Sequence, residues 1–191
     1  ILEKFRQYLQ FDKPLYIRTS HIKKFPHRKA LCILDIFSKC MSDRLSELGC
    51  MAKKSLILQF PTTRQVPDHL IREFVRGYFD GDGSFSTTKQ GIYTGYNCSI
   101  MSTKQFCEAL QLLLLTKLAI SSHVVIYPDH HENSRGLHVK GRQQIFKFME
   151  WIYKDATIYL ERKYKRFQDA KNNLTKLQRL NDQKELLIGT V

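Results

Sequence analysis

Residues 68–83 constrain the fold more than any other stretch of this chain. Leu70, Ile71, Phe74, Val75, Tyr78 and Phe79 recur at helical spacing as a wide apolar stripe, which predicts a strong helix from about Asp68 to Asp80. Gly77 sits inside it, where glycine costs about 1 kcal/mol relative to alanine. Close backbone approach by a second helix is the expected compensation. The helix ends in Asp80-Gly81-Asp82-Gly83. Two carboxylates there face the negative pole of the helix dipole and its unpaired carbonyls, each unfavourable by a few tenths to about 1 kcal/mol. With 31 Lys+Arg against 18 Asp+Glu and a formal net charge of +13, this local negative knot asks for a cation. Carboxylate and carbonyl oxygens suit magnesium, which takes the rest of its shell from water and phosphate. Asp-Gly pairs are also ordinary turn formers, so the tetrapeptide alone leaves a solvated turn open. An EF-hand fails, because Phe85 stands where its loop glycine belongs and Gly91 where its bidentate glutamate belongs.

The charge balance carries the footprint of a nucleic-acid binder. Hydrophobic residues make up 42% of the 191, enough to bury a core as one compact domain or two fused halves. Cys32, Cys40, Cys50, Cys98 and Cys107 are odd in number and far apart, with no C-x-x-C pair. That argues for free thiols in a reducing compartment, cytoplasm or organelle matrix, and against a disulfide framework or zinc site. No apolar run, 112–115 included, exceeds five residues, far too short to span a membrane.

Along the chain, 2–11 predicts a helix, 15–20 and 30–37 predict strands around a basic loop, and Ser42 or Asp43 can cap a short helix ending at Gly49. Residues 53–60 predict an extended connector. After the central helix come strands at 84–89 and 92–101, a helix from Thr103 to about Leu118, and strands near 122–127 and 136–140. A helical region from Gly141 onward breaks near 154–156. This order lacks the rhythm of parallel βαβ units, so an α+β fold with antiparallel sheets and helices on one side is expected. A faint internal echo runs through it. Phe5 and Leu9 match Phe106 and Leu110, Leu31-x-Ile33 matches Leu137-x-Val139, and Lys54 matches Lys154.

Val75-Arg76-Gly77-Tyr78-Phe79-Asp80-Gly81-Asp82-Gly83 resembles the signature of the LAGLIDADG homing endonucleases at Gly77, Asp80, Asp82 and Gly83, with Arg76 in place of a usual small residue. The context is similar too: Lys54-Ser55 and an apolar strand precede a proline, Pro61, and Ile152–Leu160 resembles the segment closing the second half of two-motif members. The resemblance implies an antiparallel β-saddle with helices packed on one side and pseudo-two-fold halves. It divides the chain into 1–66 (rest of a first half), 67–167 (second half) and 168–191 (polar helical tail).

The activity implied is site-specific hydrolysis of both DNA strands with magnesium or another divalent metal, as in intron homing; inteins often carry such domains too. Asp82 would be the metal-binding and catalytic acid and Gly81 would ligate through its carbonyl. Lys154 and Lys54 would be basic residues of the site's water network, and Gly77 and Asp80 would belong to the helix interface. Only one signature is present. Asp82 precedes Phe106 by 24 residues, and the same step back from Phe5 leads to about position −19, outside the sequence. The expectation is therefore an amino-terminally truncated copy, inactive or weak as it stands, a monomer if completed upstream and otherwise a homodimer. Double-stranded DNA would meet the strands through Ser84, Ser86, Thr88, Gln90, Tyr93 and Asn97, with Arg18, Lys23, Lys24, Arg28, His138 and Lys140 adding charge and donors. An RNA-binding intron maturase or a non-cleaving DNA-binding regulator on the same fold stands as the alternative. Asp129-His130-His131-Glu132 reads as a solvated hairpin tip, and Lys163, Lys165, Arg166 and Arg179 as phosphate contacts or as solubilising charges on a helix whose Leu160, Tyr164 and Phe167 face the core.

Overall fold

The computed structural model describes residues 1–19, 27, 29–50, 52, 54–90, 93–128 and 131–188, with side chains for all of these except 54, 90, 93 and 176–188. Lys23, Lys24 and Arg28 lie outside the described residues, as does the side chain of Lys54. The backbone divides into two compact units, Ile1–Leu45 and Ser46–Val191.

In the first unit, α1 (Leu2–Tyr8) precedes the hairpin β1 (Tyr16–Arg18) and β2 (Leu31–Ile33). α2 (Lys39–Glu47) follows and runs across the division. α2 starts earlier than Ser42 because Ser38 supplies the cap, its hydroxyl accepting from the Met41 amide at 3.2 Å. A 3-10 turn, Lys54–Leu56, replaces part of the extended connector expected at 53–60.

The second unit is a helix-backed antiparallel sheet. α3 (Ile71–Asp82) follows a 3-10 turn at Asp68–Leu70 and runs two residues beyond the expected end. β3 (Gly83–Gln90) begins at the very next residue, then come β4 (Tyr93–Thr103), α4 (Lys104–Leu118), β5 (Ser122–Ile126), β6 (Ser134–Val139), α5 (Arg142–Tyr153) and α6 (Glu161–Ile188). The strand order is β3-β4-β6-β5, every neighbour antiparallel. Thr103 caps α4 by accepting from the Phe106 amide, and Gly141, at φ +82, opens α5 where a side chain would be strained. Phe85, Cys98, Ile100, Leu137 and Val139 alternate along the strands onto one face of the sheet. Phe79, Phe106, Leu110, Phe148, Ile152 and Phe167 cover them from the helices. Each such side chain contributes about 1.5–3 kcal/mol on burial.

The internal echo is a matter of register as well as residue type. A shift of 106 residues carries the pairs Tyr16↔Ile33, Ile17↔Cys32 and Arg18↔Leu31 onto Ser122↔Val139, His123↔His138 and Val124↔Leu137. A helix precedes and follows each hairpin. The two copies differ in burial. Phe106 and Leu110 are 0% and 1% exposed, whereas Phe5 and Leu9 are 41% and 39% exposed.

Candidate functional site

The end of α3 becomes β3 without a loop, and glycine makes that possible. Gly83 is extended (φ −81, ψ 160), and its amide donates to the Phe79 carbonyl. A Cβ at Gly83 would lie 2.6 Å from that carbonyl oxygen, while Phe79 is itself fully buried. The chain is thus pinched at the point where the acidic tip emerges.

The two acids of the tip have different surroundings. Asp80 is 6% exposed; one oxygen accepts from the Tyr153 hydroxyl at 2.7 Å and the other from the Leu160 amide at 2.8 Å. Burial pushes the Tyr153 hydroxyl far above the ordinary tyrosine range, and the hydrogen bond and charge of Asp80 push it the same way. Asp82 is exposed. Its charge reaches Tyr78, whose hydroxyl is raised first by burial and further by Asp82, against the hydrogen bond it gives to Ser102 at 2.8 Å.

Three cations stitch this region together. Arg76 is buried and points away from solvent. Its guanidinium donates to the carbonyls of Ile158 (3.0 Å) and Ile152 (3.2 Å) and pairs with Glu73 (2.8 Å). The Lys163 ammonium donates to the Phe79 carbonyl at 2.6 Å and to the Gly83 carbonyl, and lies 5.1 Å from the Phe79 ring centroid. Burial lowers the Lys163 pKa, Arg162 adds to this, and Asp80 and Asp82 oppose it. Arg166 donates to the Phe85 carbonyl at 3.2 Å.

Gly77 and Gly81 are exposed, and a Cβ at either would meet nothing within 4 Å, so this side of α3 is open. Lys154, the residue after α5, is exposed and borders a depression of about 540 Å³ between α5 and α6, with Trp151, Tyr164 and Lys171 on its walls. Asp82 and Gly81, the residues expected to ligate a metal, are both exposed at the tip. Among the described residues no group of three or more His, Cys, Asp or Glu could hold one.

The sheet face turned away from the core is polar. Ser84 and Ser86 alternate with buried Phe85, and they pair with Ser99 and Asn97. Ser99 in turn pairs with His138, and His138 with His123. Thr88 is exposed further along β3, Gln90 pairs with Tyr93 at the hairpin end, and exposed Lys140 follows β6. His138 Nε2 lies 2.6 Å from the Tyr127 hydroxyl. Its pKa is lowered by partial burial, then by Lys140 and His123. Arg18, in the other unit, is exposed beside Tyr16.

Lys163 is the feature that sequence reasoning misplaced, since a lysine in a basic helix reads as solvated. Its spacing held the signal. It falls among Leu160, Tyr164, Phe167 and Ala170, on the stripe that α6 buries.

The LAGLIDADG-like domain family matches residues 69–172. The LAGLIDADG homing endonuclease I-GzeII, solved with its DNA target, superposes with a TM-score of 0.51 at 12% identity. The match covers 94% of this chain and 77% of that one, a likeness of fold. The archaeal intron-encoded homing endonuclease I-Vdi141I, solved with DNA, gives 0.46 at 17% identity over 59% of this chain and 74% of its own. The DUF199/WhiA protein from Thermatoga maritima gives 0.45 at 14% identity over 96% and 55%. No curated protein matches in sequence.

Proposed function

This chain belongs to the LAGLIDADG-like family, and from that footing we propose that it acts on double-stranded DNA as a metal-dependent, site-specific endonuclease of the homing type. The observation that carries the reading is the exposure of Asp82 at the tip of a helix whose other terminal acid, Asp80, is buried, one residue before a strand whose outer face is polar. A buried acid could serve only as structure; Asp82 is open to a ligand. The formal charge of +13 supplies attraction to phosphate.

The donor set fits a hard divalent cation such as magnesium in part. One carboxylate and one helix-end carbonyl leave most of an octahedral shell to water and phosphate oxygens. Bound there, the ion would neutralise the scissile phosphate and lower the pKa of an attacking water. The protein's own groups do the rest. Asp80 braces the tip from behind through Tyr153 and Leu160. Ser84, Ser86, Thr88, Asn97 and His138 offer hydrogen-bonding groups to base edges or phosphates from a two-stranded ribbon that can enter the major groove. Lys154, Lys54 and Arg18 are assigned to water or phosphate contact, Lys140 to phosphate, and Gln90 and Tyr93 to the hairpin's approach to DNA.

Cutting two strands needs two such tips. The open Gly77/Gly81 side of α3, flanked by Leu70 at 44% exposed, is where a second signature helix would pack. That helix would come from a completed first half of the same polypeptide or from a second copy of the chain. The test is cleavage of a randomised-site plasmid library with magnesium, by this chain and by a form carrying a second signature half, each compared with Asp82→Asn. Loss of all cutting in the variant, with DNA binding retained, is the expected result. Cutting that survives Asp82→Asn removes the acid from the reaction. Selective retention of structured RNA without DNA cleavage would move the protein to the maturase alternative.

A further inference from the structure

A helix ending in two aspartates should be a weak point in the fold. The chain meets part of that cost internally. Lys163 is 5% exposed, and its ammonium is bonded to the carbonyls of both Phe79 and Gly83. Phe79 lies in the last turn of α3 and Gly83 is the first residue of β3, so one cation bridges the helix end and the strand start. Between those two anchors lie Asp80, Gly81 and Asp82. A positive charge at the negative pole of α3 also opposes the dipole that both carboxylates face.

The alternatives for Lys163 are poorer. A lysine that served only solubility would not be buried with its ammonium on two backbone oxygens 80 and 84 residues away in sequence. A lysine reserved for phosphate would have its donors free. Arg166, one turn further along α6, reaches the Phe85 carbonyl and extends the same seam along β3. Gly83 adds a reason for precision, because the pinch against Phe79 leaves the junction little room to adjust.

We propose that Lys163 is a positioning residue for the acidic tip: by tying the Phe79 and Gly83 carbonyls it fixes the turn that aims the Gly81 carbonyl and the Asp82 carboxylate outward together. The role rests on the metal-dependent reading above, and its test separates the two. Amide hydrogen exchange at residues 81–84 reads the positioning without any metal. Manganese titration, followed by paramagnetic broadening of the same amides, reads the metal site. In Lys163→Met, exchange at 81–84 quickens by at least about tenfold while the core amides of Phe106 and Leu110 stay protected. The manganese needed for half-broadening rises about 10- to 100-fold, the range seen when a supporting partner of a metal ligand is lost. Lys163→Arg, which keeps charge and donors, recovers most of both effects. Lys163→Gln is measured alongside, so that a Met variant unable to fold leaves the comparison intact.

Unchanged exchange at 81–84 in the uncharged variants overturns the positioning role. Faster exchange with unchanged manganese affinity overturns it as well, because the turn would then not govern the ligands. No broadening in the unmodified protein overturns the metal reading instead.

Discussion

Asp80 and Asp82 leave the last turn of α3 about 200° apart around its axis, the first into the protein against Tyr153 and Leu160, the second into solvent. Their substitutions should therefore separate stability from function. Asp80→Ala strands a buried hydroxyl and a backbone amide, at a combined cost of about 2–4 kcal/mol. Asp82→Ala leaves no buried partner behind and stays within about 0.5 kcal/mol of the parent. Urea denaturation midpoints read both. Equal losses at the two positions would contradict the division of labour.

Gly77 makes a prediction with two opposite signs. A Cβ there meets nothing within 4 Å, so Gly77→Ala stabilises the chain by up to about 1 kcal/mol through helix propensity. If that side of α3 receives a second helix, the same methyl group separates the two backbones, and any cleavage by the form carrying a second signature half falls at least about tenfold, a loss of about 1.4 kcal/mol of pairing or transition-state energy. Thermal melting and cleavage assays on one variant suffice. A stabilised variant with full cleavage would place the helix partner elsewhere.

Much of the fold is legible in local pattern because local forces decide it. The stripe through Ile71, Val75 and Phe79 turns one way for helix, and Phe85, Cys98 and Ile100 alternate for strand. Helix ends are less legible. α2 is capped by Ser38 rather than Ser42, since more than one serine is placed to cap it, and α3 continues to Asp82, where the Phe79 carbonyl accepts from the Lys163 ammonium as well as from the Gly83 amide. The partners of the candidate site are legible least. Tyr153 lies 73 residues from Asp80 and Arg76 lies 82 from Ile158. Sequence spacing names the acids but not what holds them.

The five cysteines should divide by burial. Cys32, Cys40 and Cys50 are exposed, while Cys98 and Cys107 are buried. Burial pushes the Cys107 thiol up to about 11 and the Cys98 thiol higher still, so neither presents thiolate at neutral pH. Ellman's reagent at pH 8 should titrate three thiols quickly in the native chain and five after unfolding in guanidinium. Five fast thiols in the native protein would mean that the sheet's inner face is not closed.

Alkaline stability should report on Tyr153. Its native pKa is raised, mainly by burial and then by Asp80, so the folded chain keeps the phenolic proton at a pH where the unfolded chain gives it up. The folded state then binds more protons than the unfolded state, and linkage makes stability fall as pH rises. The contribution is complete below the ordinary tyrosine value of about 10 and is lost progressively above it. Half-buried Tyr78 and the two buried thiols act in the same direction, so the informative quantity is a difference in slope. Tyr153→Phe lowers stability at pH 8 by about 1 kcal/mol, the worth of one net hydrogen bond, yet it loses less than the parent between pH 10 and 11. Urea midpoints across that interval give both slopes. Parallel slopes would mean that the Tyr153 hydroxyl is open to water and that Asp80 is braced by the Leu160 amide alone.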